Sequence, residues 1–317
     1  MSRELRAAPP KAKSLVITVW GDAIAPHGGK AWLSALIELL APFGISERLA
    51  RTSVYRLTQE GWLVAHSKGR RSEYRLTPEG LQRFEEAHQL IYAPPIHDWD
   101  GSWDLVAAPP GELSTLQRST LRRELGWQGF GELTPHVMLR PACAATRDTA
   151  GLLRTLALDR RVTLVRAREA DSAGASFRPL SSRVRALWDL PRIALEYRAF
   201  SRRFGPLVDA LSGNASHDLH GEQCFAVRTL LIHAFRRVSL HDPHLPRQLL
   251  PDRWPGAAAY DLCANLYRLS QAGAEAHLAS TLGKHGAMLA PAESRFYARF
   301  GGIAGGASDP PSPARRP

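Results

Sequence analysis

Apolar residues recur at Trp32, Leu33, Leu36, Leu39, Leu40 and Phe43, and this three-and-four spacing predicts a helix over 31–43, ended by the Pro42/Gly44 pair. Ser46 then offers its hydroxyl as cap for a second helix over 47–60, which stops at Gly61. Two short runs, 62–66 and 72–76, are split by Lys68-Gly69 and predict a β-hairpin. Thr77-Pro78 opens the next helix, with threonine as cap and proline at the first position. Helix, turn, helix, hairpin is the order of a winged helix-turn-helix. The preceding run Leu15-Val16-Ile17-Thr18-Val19-Trp20 is β-rich by propensity, yet this architecture places a helix there, and context takes precedence.

Further along, strand-like runs at 103–108, 129–133, 136–140 and 162–166 alternate with helical spacing at 113–125 and 149–158. The order βαββαβ predicts a ferredoxin-like domain. Helical patterns follow over 182–204, 224–238 and 255–273, with further helix from 274 to about 303. Ala93-Pro94-Pro95 and the polar stretch 169–176 mark joints. The expected organisation is α+β. It comprises a winged helix-turn-helix over 13–93, a ferredoxin-like domain over 97–168 and a helical domain over 178–300 for effector binding or dimerisation. The polar residues 1–12 and the Gly/Pro/Ser-rich residues 301–317 are expected to be disordered tails.

Composition narrows the picture. Of 317 residues, 44% are hydrophobic and 22% charged, which excludes a disordered chain. No run approaches the ~20 apolar residues of a membrane span, and residues 1–13 lack the apolar core of a signal peptide. Cys143, Cys224 and Cys263 lie far apart, which argues against a disulfide framework or a cysteine zinc site and suits a reducing cytoplasm. The formal charge is +11, and lysine occurs only at 11, 13, 30, 68 and 284, so the basicity is nearly all arginine. Arginine's planar fork suits phosphate, pointing to nucleic acid or a polyphosphate ligand. High genomic GC content enriches arginine too, so charge alone leaves the partner open.

The second helix of the N-terminal motif decides more. Ala50, Val54 and Leu57 form one inward stripe, while Arg48, Arg51, Thr52 and Tyr55 point the other way. Arginine engages guanine O6/N7 with two bonds, and threonine offers a methyl to thymine. Ser46, Ser53 and Arg56 flank this face, where phosphate contacts fall. The hairpin tip Lys68-Gly69-Arg70-Arg71 would reach the backbone or minor groove. The candidate DNA-binding set is therefore Ser46, Glu47, Arg48, Arg51, Thr52, Ser53, Tyr55, Arg56, Lys68, Arg70 and Arg71. An arginine-bearing helix face can be merely solvated; the preceding packed helix and the basic tip favour double-stranded DNA.

The residues from Leu15 to Gly29 (LVITVWGDAIAPHGG), then Trp32-Leu33, then those from Leu40 to Leu57 (LAPFGISERLARTSVYRL) resemble the PaaX family. A second match comprises Phe235-Arg236-Arg237, Asp242-Pro243, Leu245-Pro246, Leu249-Leu250-Pro251 and Trp254-Pro255-Gly256. The resemblance implies a repressor of phenylacetic acid catabolic genes with a central Cas2-like domain, and such a regulator is expected to act as a homodimer in the cytoplasm. It also implies release from operator DNA by phenylacetyl-CoA or a related aryl-CoA; no cofactor is implied. Such a thioester needs cations for its phosphates, which Arg202, Arg203, Arg236 and Arg237 would supply, and an apolar slot, for which Trp188, Tyr197, Phe200 and Trp254 are candidates. The competing account makes these aromatics core and these arginines surface salt partners.

Two sharper readings carry less. The histidine clusters 217–222 and 241–244 lack HExxH spacing and are read as loop histidines. A winged-helix-bearing enzyme, either a Cas2-like metal-dependent nuclease or one acting on acyl-CoA, is the alternative function. The strand 103–108 carries Asp104 near its start and alanines where a nuclease needs its carboxylate, so a magnesium ion would have no seat.

Overall fold

In the computed structural model, described over residues 10–95, 99–143, 148–169, 179–212 and 220–303, the β-rich segment near the N-terminus is helical: α1 (Ala12–Val19) runs into a π-helical turn, Trp20–Ile24. Leu15, Val16, Val19, Trp20, Ala23 and Ile24 are all buried to within 1%, so tertiary burial outweighs strand propensity. The helix expected over 31–43 starts later. Lys30–Trp32 is a short strand, β1, and α2 covers Leu33–Leu40 before a 3-10 turn, Ala41–Phe43. Gly44 takes φ +73°, a left-handed turn that suits glycine and re-aims the chain into α3 (Glu47–Gln59).

The hairpin is β2 (Leu63–Lys68) and β3 (Arg71–Leu76), paired from Leu63↔Leu76 to Lys68↔Arg71. β1 adds to it through Lys30↔Arg75, Ala31↔Tyr74 and Trp32↔Glu73, giving a sheet of order β1-β3-β2. Thr77 caps α4 (Pro78–Tyr92), its hydroxyl accepting from the Gly80 amide at 2.9 Å and donating to the Gly61 carbonyl at 2.6 Å.

The central region follows the expected order: β4 (Ser102–Ala107), α5 (Thr115–Trp127), β5 (Gly131–Thr134), β6 (Val137–Pro141), α6 (Thr149–Thr155) and β7 (Thr163–Arg168). The antiparallel sheet has the order β5-β6-β4-β7, with the first strand central, as a ferredoxin-like βαββαβ unit requires. Ser114 and Gln117 close a reciprocal capping box at α5. Leu121 and Leu125 pack with Val106, Phe130, Met138 and Leu153 beneath the sheet.

The helical residues begin with α7 (Val184–Leu187) and α8 (Leu190–Phe204), separated at Trp188, which is extended, where a single helix over 182–204 was expected. After α9 (Leu207–Ser212) come α10 (Gly221–Ser239) and α11 (Pro255–Lys284). α11 passes through Gly273 unbroken. A Cβ there would sit 2.6 Å from Cys224 Sγ, so the glycine serves close helix packing rather than a stop. The expected helix to about 303 ends instead at Lys284, and only α12 (Ser294–Tyr297) and a 3-10 turn follow.

Two compact units result, one comprising Met1–Ala93, Arg203–Phe235 and Asp261–Pro317, the other Pro94–Arg202 and Arg236–Tyr260. Residues 178–300, read from sequence as one helical domain, are shared between them. In the first unit the winged-helix core does not close on itself. Leu36, Leu40, Val54 and Leu57 belong to one cluster with Phe225 and Leu230 of α10 and Leu278 and Leu282 of α11. A buried charge network reinforces this joint. Asp22 of the π-turn accepts from Tyr92 (2.7 Å), Tyr267 (3.1 Å) and Arg299 (3.1 Å), and pairs with Arg228 at 3.1 Å. Arg228 also meets Glu275, which pairs with His27 at 2.8 Å. Among the described residues no helix is long and apolar enough to cross a membrane.

Candidate nucleic-acid interface

α3 divides into two faces for reasons written in its spacing. Ala50, Val54 and Leu57 are buried to 0–2% exposure against α1 and α2, and this fixes the rotation of the helix. Arg48, Arg51, Thr52, Tyr55 and Arg56 are consequently exposed, Tyr55 at 63%. Ser46 caps the helix by accepting from the Leu49 amide.

Ser53 departs from the expected set. It stands three residues after Ala50 and four before Leu57, inside the inward stripe, and it is 5% exposed with its hydroxyl donated to the Leu49 carbonyl at 2.7 Å. That geometry keeps it from any phosphate. Leu49, missed in the sequence, is 49% exposed beside Thr52 and Arg56, an apolar group suited to a thymine methyl. Its signal was a leucine lying outside the 50/54/57 stripe.

Electrostatics grade the remaining candidates. Arg51 is held by Glu47 one turn earlier, its Nε at 2.9 Å and Nη2 at 2.7 Å from one carboxylate oxygen. The pair is more than half exposed, so it is weak and easily exchanged for a base or phosphate. Thr52 donates to the Arg48 carbonyl at 2.8 Å. Among the described residues no carboxylate pairs with Arg48, Arg56 or Arg70, which stand as open cations. In the hairpin, Lys68, Arg70 and Arg71 are all exposed; Arg71 lies over the Trp32 ring at 4.2 Å and donates to the His285 carbonyl, and Lys68 Nζ lies over the same ring at 5.7 Å. The helix face and the hairpin tip thus supply exposed Leu49 and Tyr55, a set of arginines and an exposed cationic tip, a surface suited to an extended polyanion.

The effector candidates fall differently. Trp188, Tyr197 and Phe200 are buried, at 9, 3 and 4% exposure. Trp188 Nε1 donates to the Gly129 carbonyl at 3.2 Å, and Tyr197 Oη donates to Asp242 at 2.7 Å while packing edge-on against Trp254. Trp188 and Trp254 thus share one core cluster with Tyr197 packed on Trp254, an arrangement of packed core. Arg202, Arg203 and Arg237 are exposed and Arg236 is half-buried; Arg203 belongs to the first unit and the other seven residues to the second. A cavity lined by His27, Lys30, Trp32, Glu73, Leu282 and Leu289 measures about 20 Å³, room for a single water.

His241 and His244 hand ring nitrogens to the Arg237 and Ser239 carbonyls at 2.8 and 2.9 Å, the work of loop-bracing histidines. Of the other cluster, residues 217–219 lie outside the described residues, and among the described residues no group of three potential ligands converges. Asp104 is 7% exposed and its carboxylate is taken by Arg166 at 2.8 Å and Arg140 at 3.5 Å. Two guanidinium groups occupy the oxygens a metal would need.

Comparison with known proteins adds three family matches: PaaX-like protein over residues 11–80, PaaX protein central Cas2-like domain over 96–176, and PaaX-like protein C-terminal domain over 188–280. The chain is 36% identical over 300 residues to the transcriptional repressor PaaX of Escherichia coli strain K12, covering 94% of this chain and 93% of that protein. Among solved structures it resembles the uncharacterized protein Rv0674 from Mycobacterium tuberculosis, at 26% identity and a TM-score of 0.51, over 83% of this chain and 98% of that one.

Proposed function

Because the chain belongs to the PaaX family of transcriptional repressors, we propose that it silences phenylacetic acid catabolic genes by holding operator DNA through α3 and its wing, and that phenylacetyl-CoA or a related aryl-CoA releases it. The observation that carries the DNA reading is the exposed face Arg48, Leu49, Arg51, Thr52, Tyr55 and Arg56, set on a helix whose opposite stripe is locked in the core. A homodimer, acting in the cytoplasm where operator DNA lies, would place two such helices in successive major grooves about one helical turn (~34 Å) apart. The thioester acts by linkage: it shifts the equilibrium only by its preference for a conformation that holds DNA poorly.

A repressor needs no reactive centre, and the nuclease alternative lacks support because its one strand carboxylate, Asp104, is spent on Arg166 and Arg140. Gel shifts with operator and random duplex at fixed salt test the proposal, with and without phenylacetyl-CoA. Arg51→Ala should cost about 1–3 kcal/mol on operator and relax sequence preference. Arg70→Ala should weaken all duplexes alike and lower the salt slope by about 0.9. Equal binding of parent and Arg51→Ala to both duplexes would remove α3 as the reading element. Indifference of the complex to the thioester would remove the effector.

A further inference from the structure

At its C-terminal end α11 closes in a left-handed turn: Gly286 takes φ +73°, and the amides of His285 and Ala287 return to the Leu282 carbonyl at 3.1 and 3.0 Å. Such an end leaves carbonyls without helical partners and carries the negative end of the helix dipole. Arg71, the first residue of β3, donates from Nη2 to the His285 carbonyl, and a Cβ on Gly286 would lie 3.7 Å from its Nη1. The same guanidinium stacks over the indole of Trp32, 4.2 Å from the ring centre. Trp32 ends β1 and stands at the start of α2. On its other side the turn is tied to α2, where Glu38 accepts from Lys284 at 3.0 Å and lies 2.8 Å from His285 Nε2. The end of α11 is therefore fastened both to the helix that supports α3 and to the wing.

We propose that Arg71 is a positioning residue, a latch that sets the angle of the wing to α3, and not a phosphate contact. The inference rests on the operator-binding reading above. Every residue of β2 beyond Leu63 is exposed, and β1 pairs with β3 only at Glu73, Tyr74 and Arg75, so the tip half of the wing extends past the third strand as a two-stranded ribbon, which is marginal by itself and needs an external brace. Trp32 and the His285 carbonyl provide it through one planar cation. Lys68 Nζ also lies over the Trp32 ring, more loosely at 5.7 Å, so the wing charge left to reach DNA from the tip is Arg70.

The test uses the full chain in four forms, the parent, Arg71→Ala, Trp32→Leu and Arg70→Ala, with two measurements: hydrogen exchange of hairpin amides 63–76 in the free protein, and operator affinity across a salt series. Arg71→Ala and Trp32→Leu should each speed hairpin exchange and weaken operator binding about tenfold with the salt slope unchanged. Arg70→Ala should leave hairpin exchange alone and lower the slope by about 0.9. Trp32→Leu changes no charge, so a loss shared with Arg71→Ala belongs to the latch. Should Trp32→Leu fail to fold, Arg71→Lys, which keeps the charge and loses the planar stack, gives the same decision. Unchanged hairpin exchange in Arg71→Ala, with a slope lowered by about 0.9, makes Arg71 a phosphate contact and overturns the proposal. If the parent binds no operator, the α3 reading falls, while hairpin exchange still decides whether the latch exists.

Discussion

Replacing Asp22 by alanine should destabilise the first unit by about 3–5 kcal/mol, the range for stripping one partner from a buried ion pair. The structure gives the reason. Asp22 and Glu275 face two guanidinium groups, Arg228 and Arg299, of which Arg228 is fully buried and Arg299 1% exposed. Without Asp22, Arg228 keeps Glu275 while Arg299 loses the carboxylate it pairs with, and the Tyr92 and Tyr267 hydroxyls lose the bonds they donate to Asp22. Because the group lies at 3% exposure, added salt screens none of this. Urea denaturation followed by tryptophan fluorescence measures the loss. Asp22→Asn, which keeps shape and removes charge, should retain most of the effect. Asp22→Asn combined with Arg299→Met, which restores the balance, should be more stable than Asp22→Asn alone. A loss under 1 kcal/mol, or a double variant no better than the single, would refute the account of Asp22 as the counter-ion that joins the π-turn to α10 and α11.

Other perturbations separate other parts of the structure. Glu47→Ala should tighten DNA binding a few-fold, since it removes a negative charge from the reading face and frees Arg51, at a stability cost near 1 kcal/mol; weaker binding in gel shifts would instead mean that Glu47 itself reads a base. Burial raises the Glu275 carboxyl, but the bond from His27 and the charge of Arg228 overcome this and bring it from 4.5 to about 2. Glu275 therefore contributes stability above about pH 4.5 that is lost as pH falls toward 2, and Glu275→Gln should flatten that part of the acid-denaturation curve. Gly80→Ala should cost about 1–3 kcal/mol by urea denaturation, because its Cβ would stand 2.3 Å from the Trp62 carbonyl oxygen and push α4 off the wing.

What could be read from the chain alone was whatever depends on neighbours in sequence. Ser46 and Thr77 announce their helices because a cap acts over three residues. The 50/54/57 stripe orients α3 because helical period is a local property, and the βαββαβ order follows from alternating patterns in the same way. The exposed face of α3 was legible for that reason, except at Ser53, a polar residue that lies inside the buried stripe and not on its flank.

What only the folded molecule decided depends on residues distant in sequence. α1 is helical despite β-branched composition because α10 and α11 help bury it. β1 exists because β3, more than forty residues away, offers it an edge. Asp22 and His27 are an acid and an imidazole in an otherwise apolar motif until Arg228, Glu275 and Arg299 arrive from the far end of the chain. Arg71 reads as one more basic tip residue until the end of α11 takes up its guanidinium. Period and capping are short-range effects written in the order of residues, whereas charge pairing and shared burial are decided by which distant segments meet.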